Sequence, residues 1–391
     1  MNFEPMKALM EHFVLWRAPG NSICVCVDNK EVFSYQVGYE NYEKKIAMSD
    51  DKLFNIFSCS KPVTVSAALQ LYEKGAFLLD DPLYDFIPEY RYMHIKDRDG
   101  SVRDAVRPIT LRHLFTMTAG LTYNSETAAF DKARTLTNGK MNTLTVAKCL
   151  AEDPLTFEPG ERWQYSLCHD VLAAVVEVVS GKKFRDYVKD NIFAPLEMHD
   201  SYFHNDDVRD RVAEMYRYEN CSEKDIVKLQ SDGISKSKGK LVNVGKSVSL
   251  VFGSEYDSGG AGITTSVSDY AKFASALASG GVGRNGERIL SPGTIALLRQ
   301  NQLAPEQLVN FNWKQLKGYG YGLGVRTLVD VAQSGSCGNL GEFGWGGAAG
   351  ATLLVDPDLK LAAFYTHHVL NPGEEYYQPR LRNVLYTCVR H

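Results

Sequence analysis

Phe54-Asn55-Ile56-Phe57-Ser58-Cys59-Ser60-Lys61-Pro62 decides the reading of this chain. Ser58 and Lys61 are three residues apart at the start of a helical pattern, and residues at i and i+3 share a helix face. A serine hydroxyl is a weak nucleophile until a base takes its proton, and a lysine held neutral by its surroundings can do that. Val63, Ala67, Ala68 and Leu71 fall on one face of this amphipathic segment, and Lys74-Gly75 is a stop signal. Pro62 is tolerated only in a first turn, which places the helix start near Ser58. The segment by itself fits an N-cap Ser58 with a solvated Lys61 equally well.

The pattern Ser-x-x-Lys also occurs at Ser180, Ser235 and Ser237. Ser180 ends an apolar helix pattern at Gly181, a C′ residue. Ser235 and Ser237 lie in a polar, glycine-flanked run read as a surface loop. Only Ser58 follows an apolar stretch and opens a helix.

Outside this segment the chain alternates strand and helix signals. Ser22 to Asp28 and Glu31 to Val37 are strands joined at Asn29-Lys30. Thr110 caps Leu111 to Met117, with Gly120 closing it. His169 to Val179 is apolar nearly all round, as a buried helix is. Ser266 to Asp269 is a capping box with Asp in the Glu/Gln place, and Ser291-Pro292 opens a further helix. Tyr321 to Val331, Gly341 to Trp345, Thr352 to Val355 and Leu361 to Val369 read as strands, with Asp356-Pro357-Asp358 as a turn. Tyr376 to Val389 closes the chain as a helix. The expected fold class is α/β of the α+β type: residues 1–57 and 310–391 form a sheet flanked by helices, and 58–309 form an inserted, mainly helical lobe. Ser58 then lies where the lobes meet. Residues 220–262 are read as a loop near the site.

The 391 residues are 44% hydrophobic and 23% charged, with net charge −4. That is ordinary globular composition, and it argues against nucleic-acid and membrane-surface partners. Lys236 to Lys246 reads as a solvated basic loop. Met1 to Gly20 is an amphipathic helix pattern with no secretory signal, and no apolar run is long enough to span a bilayer. Eight cysteines without metal-ligand spacing indicate reduced thiols and a cytoplasmic protein. His367-His368 sits in a strand pattern, where neighbours face opposite sides, so a shared metal is not expected. Oligomeric state has no signature here.

Four more segments recur in order: Leu111-Arg112-His113-Leu114-Phe115-Thr116-Met117-Thr118-Ala119-Gly120-Leu121, Phe157 to Ser166 around Tyr165, Asp257-Ser258-Gly259-Gly260-Ala261-Gly262, and Phe343-Gly344-Trp345-Gly346-Gly347-Ala348. With Ser58 and Lys61 they resemble the serine β-lactamase and penicillin-binding-protein superfamily, and more closely its carboxylesterases and acyltransferases of class C β-lactamase fold. The likeness runs from about Pro19 to Leu385 and implies an antiparallel sheet flanked by helices. It implies that Ser58 is acylated, that Lys61 deprotonates it or tunes its neighbour, and that Tyr165 is a candidate base and later acid. The phenol of Tyr165 is expected to titrate low beside the lysine cation. The amides of Ser58 and Ala348 would form the oxyanion hole. Trp345, Gly346, Gly347, Tyr123 and Tyr256 are candidate substrate-binding residues. For the two tyrosines ordinary packing is at least as good a reading. His169 reads either as orienting Tyr165 or as a core histidine, and the second is favoured. Trp163 is read as structural.

Two departures carry information. The second motif usually reads Tyr-x-Asn, but Leu167 stands in the Asn place. The third usually begins with a carboxylate-binding lysine, replaced here by Trp345. Both turn the expectation from β-lactams to small neutral esters. An acyltransferase, an amide hydrolase, a weak β-lactamase or D-Ala peptidase, and a catalytically silent ligand-binding homologue are the alternatives. The small-molecule ester or amide substrate is the only partner implied. The chemistry needs no metal and no organic cofactor.

Overall fold

The computed structural model describes residues 1–16, 18–219, 239–248, 250–370 and 373–390. The two ends of the chain build one eight-stranded sheet. Its order is Tyr319–Tyr321, Arg326–Leu328, Phe343–Gly344, Thr352–Asp356, Leu361–Thr366, Gly20–Val27, Lys30–Asn41 and Ile46–Ala47. Every pairing in it is antiparallel. The first hairpin turns at Asp28 and Asn29, with φ of 50° and 60°, the left-handed pair that two-residue hairpins favour. The turn is therefore one residue earlier than the expected Asn29-Lys30.

The central strands are buried on both faces, which explains their near-continuous apolar runs. On one face the terminal helices Glu4–Trp16 and Glu374–Arg390 cover Ile23, Val25, Ala363 and Tyr365. On the other, helix Val267–Ala278 packs over Phe364, with the Tyr270 ring centroid 4.3 Å away. This helix lies on the sheet, although a division at 58 and 310 puts it in the helical lobe. Its start is as expected: Ser266 Oγ accepts from the Asp269 amide at 3.1 Å.

Four expectations need correction. Tyr321 to Val331 is not one strand: Gly322 and Gly324 break it, Gly324 has a φ of 75°, and Val331–Ser334 is a helical turn capped by Asp330. His367 and His368 lie past the end of Leu361–Thr366, and His368 has a φ of 52°. Residues 220–262 are not simply a loop, because Lys240–Gly245 is a strand paired antiparallel with Met215–Glu219. Lys246 is not solvated: its Nζ donates to the carbonyls of Arg209 and Asp210, at 3.1 and 3.3 Å. Ser235, Ser237, Lys236 and Lys238 lie outside the described residues.

Helix Ser60–Glu73 runs through the main core. Ser60 to Leu71 are all buried, so the amphipathic reading does not hold. Most of its polar groups find partners within the protein, although Gln70 Oε1 has none among the described residues. Thr64 Oγ1 donates to the Gly259 carbonyl at 2.6 Å, Ser66 Oγ to that of Pro62 at 2.8 Å, and Gln70 Nε2 to that of Asn191 at 2.9 Å. Among the described residues no helix is long and apolar enough to cross a membrane.

Candidate active site

The site is assembled at a short three-stranded sheet in which Leu53–Asn55 pairs with Thr264–Ser266. That register brings the residues after Asn55 against those before Thr264. The Ile56 amide donates to the Ile263 carbonyl at 3.1 Å, and the Ile263 amide donates to Ser60 Oγ at 3.0 Å. Phe57 turns the chain with a φ of 46°, a region that bulky residues rarely adopt. Ser58 follows in a 3₁₀ turn leading into helix Ser60–Glu73, and it is partly exposed.

Lys61 is wholly buried. Its Nζ contacts the Gly260 carbonyl at 2.8 Å, Tyr123 Oη at 2.9 Å and Ser58 Oγ at 3.3 Å. Burial pushes its pKa down to about 7, opposed chiefly by the Asp170 charge. A neutral amine has two hydrogens and a lone pair. With the hydrogens taken by Gly260 and Tyr123, the lone pair faces the Ser58 hydroxyl.

Tyr165 stands on the irregular segment before helix Cys168–Ser180. Its Oη accepts from Trp345 Nε1 at 3.1 Å. Its pKa is raised, not lowered: burial dominates, although hydrogen bonds from Ser58 and Trp345 work against it. The expected drop fails because Lys61 sits over the ring face, 4.6 Å from its centroid, and carries only a partial charge near neutrality.

Ser58, Tyr165, Trp345, Gly346 and Ala348 line one cleft of about 150 Å³. Gly347 does not line it. A Cβ there would collide with the Ile56 carbonyl, so the glycine lets the turn after Trp345 press against the Ser58 segment. Gly347→Ala should therefore lower kcat about tenfold or more by pushing Ala348 away from Ser58, with a smaller effect on KM; steady-state kinetics read this. Tyr256 does not line it either: it is buried, and its Oη donates to Asp170 Oδ1 at 2.9 Å. Tyr123 meets Lys61 rather than this cleft. His169 is a core residue with Nε2 3.3 Å from the Phe115 carbonyl, and burial pushes its pKa down to about 3. It precedes no shared face with Tyr165, because the helix begins only at Cys168. Trp163 is buried among Phe311, Trp313 and Tyr321.

The family model for beta-lactamase matches residues 6–386. The chain belongs to the beta-lactamase family. It is an enzyme of the serine-hydrolase class with that fold. Protein Rv1367c of Mycobacterium tuberculosis is 30% identical to it over 342 residues, covering 84% of this chain and 80% of the relative. Esterase EstB of Burkholderia gladioli is 28% identical over 336 residues, 83% and 79% of the two chains. Among solved structures, EstCE1, described as a hydrolase with promiscuous acyltransferase activity, superposes with a TM-score of 0.76 at 23% identity, covering 98% of each chain.

Within this family the two departures acquire structural meaning. Leu167 is buried at the start of helix Cys168–Ser180, its amide bonded to the Thr122 carbonyl at 3.2 Å. Trp345 supplies an indole N–H to the Tyr165 oxygen in place of an ammonium. The motif reading missed Asp170, a buried acid in the first turn of a mainly apolar helix, which was itself a signal. Its carboxylate accepts from Ser258 Oγ at 2.7 Å and from the Gly260 amide at 3.4 Å, pinning the carbonyl that holds Lys61. Asp170→Asn removes a charge that raises the Lys61 pKa. The acidic limb of the kcat/KM profile should then move to lower pH. Trp313, Gln315, Glu374 and Gln378 were also missed; they enter the cleft only through tertiary packing.

Proposed function

We propose that the chain hydrolyses small carboxylic esters through an acyl-enzyme on Ser58. The Lys61 geometry carries this reading: a buried amine titrating near neutrality, with two of its directions occupied and the third on Ser58 Oγ. Lys61 takes the Ser58 proton as Oγ bonds to the ester carbonyl carbon. The oxyanion develops against the amides of Ser58 and Ala348, where losing one donor typically costs roughly a hundredfold. Collapse breaks the bond to the alcohol oxygen, which takes the proton of Tyr165; Lys61 then restores the phenol. Tyr165 suits the acid role because burial keeps it protonated. Water attacks the acyl-enzyme by the reverse route.

Esters rather than β-lactams fit the cleft because Trp345 offers no cation to a carboxylate, and the relative EstB is named an esterase. Transfer of the acyl group to an alcohol shares the same intermediate, and the description of EstCE1 favours testing it. The seven described cysteines are all free, which fits a reducing cytoplasmic compartment. The test is intact mass after rapid quenching from a p-nitrophenyl ester, with the adduct mapped by peptide. An acyl increment on the Ser58 peptide is expected, with a burst of p-nitrophenol. Faster turnover of a chromogenic cephalosporin than of any ester would overturn the ester preference.

A further inference from the structure

The cleft beside Ser58 has one polar wall. The first turns of helix Glu374–Arg390 contribute Glu374 and Gln378, and Gln315 lies next to them. Glu374 Oε2 accepts from Gln315 Nε2 at 2.8 Å. Its other oxygen, Oε1, receives no hydrogen bond among the described residues and lies 3.2 Å from where a Cβ on Gly346 would be. The charge acts at the reaction centre, since it pushes the Tyr165 phenol and the Cys59 thiol upward.

Two guanidinium groups are near: Arg326 lines the cleft, and Arg382 leaves its Nε and Nη1 without a hydrogen-bond partner among the described residues, but both groups are buried. Arg326 is 2% exposed and paired with Glu342 at 2.7 Å. Arg382 is 3% exposed, donates to the Gln315 carbonyl at 3.2 Å and lies over the Tyr319 ring. Glu374 is partly exposed where Arg326, Arg382 and Gln378 are buried, so the charged group a ligand meets is its carboxylate, and the walls beside it are the rings of Trp313, Trp345 and Tyr165. Aromatic faces with one carboxylate are the chemistry that binds an organic cation. Burial raises the Glu374 carboxyl to about 7 against the Gln315 hydrogen bond and the Arg382 charge, and an arriving cation would add to those two in favouring its ionised form.

We infer that the cleft selects esters whose alcohol or acyl part carries an amine or quaternary ammonium group, held by Glu374 and the Trp313 and Trp345 rings. This rests on the ester-hydrolase reading above. Two isosteric pairs test it: acetylcholine against 3,3-dimethylbutyl acetate, and phenyl esters of glycine betaine against those of 3,3-dimethylbutyrate. Each kcat/KM is divided by the hydroxide rate of the same ester. In at least one pair the charged member should be favoured about tenfold, falling towards parity in Glu374→Gln. Parity in both pairs, or a preference that survives Glu374→Gln, overturns the inference. The wild-type ratios need no variant, so a poorly folding Glu374→Gln leaves the test intact. If Ser58 takes no acyl group from any ester, the function reading fails instead. Calorimetry of choline against 3,3-dimethylbutanol then reads the cleft without turnover: tighter choline binding supports the inference, and equal affinity overturns it.

Discussion

Ser58→Ala should lower kcat for ester hydrolysis by about 10⁴-fold or more and remove the acyl adduct from the mass spectrum. The variant deletes one oxygen and leaves the supporting structure intact. Ser58 is partly exposed, and the contacts that fix its segment come from Ile56, Ser60 and Thr64. Stability should therefore stay within about 0.5 kcal/mol of the wild type, so lost activity cannot be laid to unfolding. A fluorophosphonate should label the wild type once and the variant not at all. A variant that still turns over esters within about tenfold of the wild-type rate would place the nucleophile elsewhere.

Lys61 should be nearly as costly to replace. Lys61→Met keeps the length of the side chain and removes the lone pair; kcat/KM should fall by about 10³-fold or more. Lys61→Arg should be no better, because a guanidinium stays charged at every working pH and cannot accept the Ser58 proton. The pH profile supplies the independent check. Below about 7 Lys61 gains a proton and stops acting as a base, so kcat/KM of the wild type should fall with a midpoint near that value. Above it the profile should be flat, since Tyr165 is held protonated by burial. An acidic limb that persists in Lys61→Met belongs to another group. The same shift has a stability consequence. The folded pKa lies below the ordinary 10.5, so this residue costs stability that grows as pH falls from 10.5 to about 7 and then levels off.

Much of this molecule is legible in its residues. Gly181 with a φ of 68° after Ser180, the Ser266 and Ser291 caps, and the alternation around Ser22 to Val37 are local signals, decided by backbone sterics and hydrogen bonds within a few residues. Ser58, Lys61 and Tyr165 stand out as candidates in the sequence because the proposed chemistry needs particular residue types at particular spacings. The sequence by itself therefore determined most element types, the shared fold class and the candidate residues of the Ser58 segment.

Tertiary structure decided the rest, because burial, field and reach belong to neighbours distant in the chain. Whether Lys61 is a cation or a base depends on the apolar core around it and on carbonyls from residue 260, about 200 positions away. The direction of the Tyr165 shift was set by its burial. Tyr256 and Gly347 left the cleft, and Glu374 entered it, only when the two chain ends closed one sheet and brought the last helix beside Ser58.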